Sequence, residues 1–205
     1  MRFPLPTLLV IMVTGTREDA EALWDEVTAV LTPIGLRLSA EKTRICHIDE
    51  GFDFLGFHIQ RKTKSGTNQR YVYTWPSKKS LNSITDKIRR LTRRRRHKTL
   101  ADLLRQINPV LRGWCNYFKH GVSKRTFNYI DHFAFWRVIE WLRKRHLGLN
   151  WGTLRRRFFP DWEIRDGLTL FRPWTVTVNR YRYRGTKIPT PWASTQPETA
   201  SAPSA

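Results

Sequence analysis

The chain has 205 residues, 40% of them hydrophobic and 13% aromatic, and carries 37 Lys/Arg against 17 Asp/Glu for a formal net charge of +20. That apolar share can bury a core and excludes a disordered polybasic tail, while the length allows one or two domains. The charge exceeds what solubility needs, and two cysteines exclude a disulfide framework and imply a reducing, cytoplasmic setting.

Residues 1–15, MRFPLPTLLVIMVTG, place one Arg before a short apolar run, as a signal peptide does. Pro4 and Pro6 interrupt the run, no small-x-small site follows it cleanly, and it is too short to span a bilayer. Residues 8–13, apolar throughout and bounded by Thr14 and Gly15, therefore read as a buried strand. Thr16 can cap a helix with Glu18 and Asp19 in its positive first turn. Ala20, Leu23, Val27, Val30, Leu31 and Ile34 form its apolar stripe, and Gly35 ends it. TRICHID (43–49), FDFLGFHIQ (52–60) and RYVYTW (70–75) read as strands separated by turn residues. This order predicts an α+β fragment whose helix covers one face of a small sheet.

The character changes at Trp75, Pro76 and Ser77. Ser77 can cap a helix over residues 78–98, with Leu81, Ile84, Ile88 and Leu91 as a narrow stripe among ten Lys/Arg. Thr99 or Leu100 opens a second helix with Leu100, Leu103, Leu104, Ile107, Leu111, Trp114 and Phe118 on one side. Pro109 is expected to kink or split it, because proline removes a donor and clashes one turn back. Gly121 ends that run and Ser123 caps a third helix, with Phe127, Ile130, Ala134, Val138, Trp141 and Leu142 facing inward. Three amphipathic helices on short loops imply a compact bundle. A short helix is expected near 151–158, followed by turns, a hairpin and a strand-like alternation in VTVNRYRYR (176–184). Residues 193–205 are expected to be disordered.

The charge is not spread evenly. Residues 1–77 hold nine Lys/Arg and nine Asp/Glu, whereas residues 78–192 hold 28 against seven. A folded block of that charge repels itself unless a polyanion neutralises it. Nucleic acid is the usual polyanion, and no membrane partner is expected. Prospective phosphate contacts are Lys78, Lys79, Arg89, Arg90, Arg93, Arg94, Arg95, Arg96, Lys98, Arg112, Lys119, Lys124, Arg125, Arg155, Arg156 and Arg157. Most aromatics of the bundle should be core, but Tyr117 and Tyr129 on the basic face could stack on unpaired bases. Cys46 and His47 are adjacent rather than spaced as zinc ligands, Asp131 with His132 is the only other suggestive pair, and carboxylates are scarce. No metal site, catalytic residue or cofactor is expected.

Two blocks, GLRLSAEKTRICHIDEGFDFLGFHIQRK (35–62) and LRQINPVLRGWCNYFKHGVSKRTFNYIDHFAFWRVIEWLRKRH (104–146), resemble the closing part of a bacterial group II intron-encoded reverse transcriptase/maturase. The first is similar to the end of the polymerase palm, through an L-x-L-S-x-x-K-T block containing Lys42 and the block Phe54, Leu55, Gly56 and Phe57. The second, with its I-N-P, R-G-W and N-Y-F sequences, is similar to the thumb-equivalent maturase-specific region. The resemblance implies a residual palm (1–76), a three-helix thumb/maturase domain (77–148), an irregular basic aromatic segment (149–192) and a tail (193–205). It implies a group II intron RNA partner whose folding and splicing the protein assists. Lys42 and the Phe54–Phe57 block resemble nucleotide- and primer-positioning elements.

One departure bears on enzymology. Extending the resemblance without gaps from Gly15 and Thr16 sets Leu5, Pro6, Thr7 and Leu8 where the family has Tyr-Ala-Asp-Asp, whose carboxylates hold catalytic metals. Without them Mg²⁺, expected only for the intact family enzyme, has no protein site, so this chain alone is not expected to polymerise. A truncated maturase is the reading that results. Two others stay open: the C-terminal part of a split RNA-directed DNA polymerase completed by a separate reverse-transcriptase fragment, and a DNA-binding intron-mobility module contacting target DNA through 149–192. A folded relic without function is a further one.

Overall fold

The computed structural model of the chain describes residues 9–93 and 97–179, in two compact units that divide after Thr74. Arg94, Arg95, Arg96, the family-motif positions Leu5 to Leu8, and everything expected for residues 180–205 lie outside the described residues.

In the first unit, α1 (Arg17–Leu31) begins as its sequence requires. Asp19 N–H donates to Thr16 Oγ1 at 3.3 Å, and Thr16 N–H donates back to Asp19 Oδ2 at 2.7 Å, a reciprocal capping box. The helix runs into a 3₁₀ turn, Thr32–Ile34, and stops at Gly35, whose φ of 77° only glycine adopts without strain. Its stripe is not buried, however: Val30 and Ile34 are 70% and 66% exposed, and no residue of α1 is buried. The expected covering of a sheet by this helix is therefore not observed. An apolar stripe is buried only against a matching apolar surface, and among the described residues none covers this one.

Those strands correct three further expectations. Residues 9–13 are exposed and form no strand, because a strand exists only by pairing its backbone and nothing among the described residues pairs with them. Residues 43–47 are irregular rather than extended in a ladder, and contact with the sheet is made just beyond them by the Ile48 carbonyl, which accepts from Arg61 N–H at 2.9 Å. Residues 52–60 are not one strand but a tight hairpin of β1 (Phe52–Phe54) and β2 (Phe57–Thr63), with Phe54 opposite Phe57. Leu55 and Gly56 both have positive φ, 47° and 81°, as the type I′ turn that matches strand twist demands. β3 (Arg70–Pro76) completes a sheet of order β1-β2-β3. Asp49 fastens its edge: Arg61 Nε and Nη2 donate to its two oxygens at 2.6 and 2.9 Å.

The second unit holds the core. α2 (Lys78–Leu91) starts at Ser77, whose hydroxyl accepts from Ser80 N–H at 3.2 Å, and buries Ile84, Ile88 and Leu91. It stops at Leu91 instead of continuing to 98. Thr92 turns its hydroxyl back onto the Ile88 carbonyl at 2.9 Å and receives Arg137 Nε and Nη2 from α4 (Lys124–Arg145) at 3.2 and 3.0 Å. Anchored to α4 in this way, Thr92 closes the helix after Arg89 and Arg90 and before Arg93.

α3 (Leu100–Phe118) opens on a Thr99–Asp102 capping box and buries Leu100, Leu103, Leu104, Ile107, Leu111, Cys115 and Phe118. Pro109 does not split it; one helix runs through, since the face that packs carries none of the missing hydrogen bond. Ser123 does not cap α4 by its side chain. Its buried hydroxyl donates to the Phe118 carbonyl at 2.6 Å, closing the end of α3 instead. Phe127, Ile130, Ala134, Val138, Trp141 and Leu142 of α4 face inward as their spacing predicts.

The chain then returns over the bundle. α5 (Trp151–Phe158) is followed by a 3₁₀ turn, Pro160–Trp162, a two-residue hairpin of β4 (Arg165–Asp166) and β5 (Leu168–Thr169), and a second 3₁₀ turn, Pro173–Thr175. Leu154, Phe159, Ile164 and Leu170 are buried in the same core as the helices. Asn108 grips this segment from α3: its amide donates to the Thr169 carbonyl at 2.8 Å and its carbonyl accepts from Phe171 N–H at 2.8 Å. Residues 176–179 are irregular, not the start of a strand, and Asn179 N–H is spent on the Lys119 carbonyl at 2.9 Å.

Candidate nucleic-acid interface

The outward face of α2 is set by the same periodicity as its core stripe. Lys79, Ser83, Asp86 and Arg90 recur at spacings of four, three and four, on the side away from Ile84, Ile88 and Leu91, and Arg93 follows just past the helix end. Ser83, Asp86, Arg89, Arg90 and Arg93 line one shallow, open groove. Asp86 pairs with Arg89 at 2.6 Å, and the Arg89 guanidinium also lies 5.2 Å from the Phe133 ring centroid. Among the described residues Arg90 and Arg93 have no carboxylate partner, and both are exposed. Lys78 is exposed beside them on α2, and Lys98 is exposed just ahead of α3.

What leaves the unit so positive is the use made of its few acids. Asp102 pairs with Arg105, Glu140 with Arg137 and Lys144, and Asp131 with Arg172, while Asp166 accepts from Ala101 N–H at 3.1 Å. These contacts hold the fold together and leave little negative charge to screen the remaining cations. The Asp131 pair is the most enclosed. Arg172 Nε and Nη2 meet both of its oxygens at 2.8 Å, and this hydrogen bonding holds the Arg172 pKa above its ordinary value.

The other predicted contacts fall into two sets. Arg112 lies over Phe171 at 5.3 Å, Arg155 over Trp162 at 4.8 Å and Arg157 over Phe158 at 5.1 Å, and Lys124 Nζ donates to the Trp174 carbonyl. Each of these cations is thus packed on an aromatic ring or a carbonyl while its charge stays accessible. Arg125 and Arg156 are exposed, and Lys119 is half-buried in the turn after α3. The set is thus distributed over α2, α5 and, in smaller numbers, α3 and the start of α4. Lys42 sits in an exposed turn of the first unit, and Phe54, Leu55, Gly56 and Phe57 form the tip of its hairpin.

Tyr117 and Tyr129 are each 51% exposed, as their helical positions predict, and Tyr129 stacks on Phe133 with ring centroids 6.2 Å apart. Sequence reasoning missed Trp136, Trp151 and Trp162, which are also half-exposed. Trp136 could have been found, because it falls outside the inward spacing of α4; Trp162 depends on a turn that no periodicity announces. Two groups with shifted ionisation are structural. Burial, with Asp131 nearby, pushes the Cys115 thiol up to about 12, so it is no nucleophile. The Arg61 hydrogen bonds hold Asp49 down at about 2. Among the described residues no three His, Cys, Asp or Glu gather as metal ligands, and no helix is long and apolar enough to cross a membrane.

Comparison with known proteins falls on the basic bundle. Residues 81–159, from within α2 through α5, match the group II intron, maturase-specific domain. A curated relative, Protein YkfC of Escherichia coli (strain K12), is 39% identical over 74 residues, 36% of this chain and 19% of that relative's length.

Proposed function

Starting from the maturase-specific domain of residues 81–159, we propose that this chain binds group II intron RNA and assists its folding and splicing without polymerising nucleic acid itself. The observation that carries the reading is the α2 groove, where Arg90 and Arg93 stand exposed and without a carboxylate partner among the described residues, inside the matched segment, with Lys79 exposed one turn ahead of it. Side chains placed this way neutralise phosphates and release counterions, a source of affinity that depends on backbone geometry more than on base sequence. Structured RNA suits it because recognition of folded RNA proceeds largely by shape and phosphate position. The remaining contacts are Lys78, Arg89, Lys98, Arg112, Lys119, Lys124, Arg125, Arg155, Arg156 and Arg157, with Arg94, Arg95 and Arg96 continuing the α2 set in sequence.

The non-polymerising part of the proposal rests on Leu5, Pro6, Thr7 and Leu8, which offer no carboxylate where the family's metal-binding motif would fall. Primer extension by the purified chain, with and without a separately expressed fingers/palm fragment, tests it. Extension unaided overturns it, and extension only with the fragment favours the split polymerase.

RNA filter binding across several salt concentrations tests the rest. The chain should prefer group II intron RNA over random RNA and duplex DNA of equal length. Replacing Arg90 and Arg93 together by alanine should weaken binding and flatten the log K versus log salt slope by about 1.4 to 1.8, since each lost phosphate contact removes about 0.7 to 0.9. Equal affinity for all three nucleic acids would reduce the protein to a generic polyanion binder.

A further inference from the structure

The return segment builds an aromatic platform that phosphate contact does not account for. Phe135 of α4 and Phe159 after α5 are 6% and 0% exposed, with ring centroids 6.4 Å apart and nearly perpendicular. Three tryptophans border this buried floor. Trp162 lies 6.2 Å from Phe135 and 6.3 Å from Phe159, Trp151 lies 5.4 Å from Phe159, and Trp136 lies 5.6 Å from Phe135. Each stays between 42% and 44% exposed, so each ring is fixed on one side by packing and open on another.

Trp162 is held there against its backbone preference. It and Asp161 adopt consecutive left-handed conformations, φ 61° and 52°, which only glycine takes up freely. The turn persists because its neighbours over-determine it. Glu163 N–H donates to the Pro160 carbonyl at 3.0 Å, and Arg172, anchored on Asp131, donates to the Trp162 carbonyl at 3.2 Å. Strain kept in place to display a half-exposed ring is a feature of binding sites more than of surfaces that only need to be wet. The guanidinium of Arg155 lies over the same ring, 4.8 Å from its centroid, so it shares the Trp162 surface and a base would stack on the part of the ring left exposed, next to that cation, with Arg156 and Arg157 adjacent in sequence.

We propose that Trp162, Trp136 and Trp151 form a stacking platform for unpaired nucleobases of the bound RNA, with Arg155 meeting the adjoining phosphate. The proposal rests on the RNA-binding reading above. Base faces are flat, apolar and common to all four nucleotides, and rigid indole rings receive them at little cost in conformational freedom. The flanking arginines favour a polyanion over a protein as occupant, despite Asp161 and Glu163 close by. Division of labour follows: α2 grips phosphates of paired or unpaired RNA, and the platform selects RNA in which bases are splayed out.

Fluorescence anisotropy on the full chain tests it with two RNAs of equal charge, one a continuous duplex and one a hairpin with a single-stranded loop. Trp162→Leu should lose roughly 5- to 150-fold in affinity for the looped RNA, the range set by about 1–3 kcal/mol per stacked base, and adding Trp136→Leu should deepen the loss. Duplex affinity and the salt slope should not change, and Trp162→Phe should restore most of the loss. Far-UV circular dichroism and thermal melting of each variant exclude unfolding as the cause; should Trp162→Leu fail to fold, Arg155→Ala, which should weaken looped RNA more than duplex, decides the question. Looped-RNA binding unchanged in every folded variant overturns the platform and leaves the surface to a protein partner. Failure of the wild-type chain to bind either RNA overturns the RNA-binding reading itself.

Discussion

Ser123 stands between α3 and α4 with its hydroxyl fully buried and donating to the Phe118 carbonyl. Removing that donor leaves the carbonyl only its bond from Gly121 N–H at 3.1 Å, so Ser123→Ala should destabilise the protein by about 0.5–1.5 kcal/mol, one net hydrogen bond, in a denaturant titration. His146 makes a different kind of prediction. Burial, with Arg157 and Arg145 close by, holds its imidazole below its ordinary pKa, and the ring stacks on Phe158 at 4.9 Å. The folded state therefore favours neutral His146, whose contribution is complete above the unfolded value of 6.5 and is lost as pH falls through the folded one. The melting temperature should drop between pH 7.5 and 5.5, and drop less in His146→Phe. Such details lay beyond reading from sequence. Ser123 looks like any helix-capping serine in print, and only the position of Phe118 redirects its hydroxyl.

At the scale of elements, α3 tolerates a proline at a cost its packing absorbs. Pro109 is exposed, and an alanine there would restore an N–H able to bond one turn back. Pro109→Ala should raise stability by about 1–3 kcal/mol, read from thermal or urea unfolding. A loss instead would mean that the proline sets the angle at which neighbouring Asn108 reaches β5. The helices of the second unit were legible because their stripes bury what their spacing says. Leu81 to Leu91 and Phe127 to Leu142 needed only a 3.6 period. The strands were not legible in the same way. Residues 9–13 and 43–47 have strand composition without a partner, and composition is silent about partners. The hairpin inside 52–60 was hidden because a non-glycine, Leu55, supplies the first of two left-handed residues. The arginine face of α2 was readable as charge, but the end of the helix at Thr92 was not, since Arg137 arrives from 45 residues away.

For the whole molecule, charge and core are in opposition. A net +20 works against the compact state, and the acids that could offset it are tied into particular pairs. Added salt should therefore raise the melting temperature while it weakens RNA binding, two opposite responses measurable in one titration; parallel responses would count against electrostatics as the common cause. At this scale the sequence showed a neutral first third and a basic remainder, and the described structure separates into two compact units after Thr74. How the return segment joins the bundle could not be foreseen, because Ile164 and Leu170 show no period and Asn108 is one polar residue among many.

That junction has a practical corollary for proteolysis. The stretch from 160 to 163 is solvent-facing, yet the chain after it is tied to α3 by both ends of the Asn108 amide, to α4 through Arg172, and to the interior by Ile164 and Leu170. A protease that nicks this turn would cut a covalent link without freeing what lies beyond it. The two fragments should elute together from a sizing column and part only in denaturant.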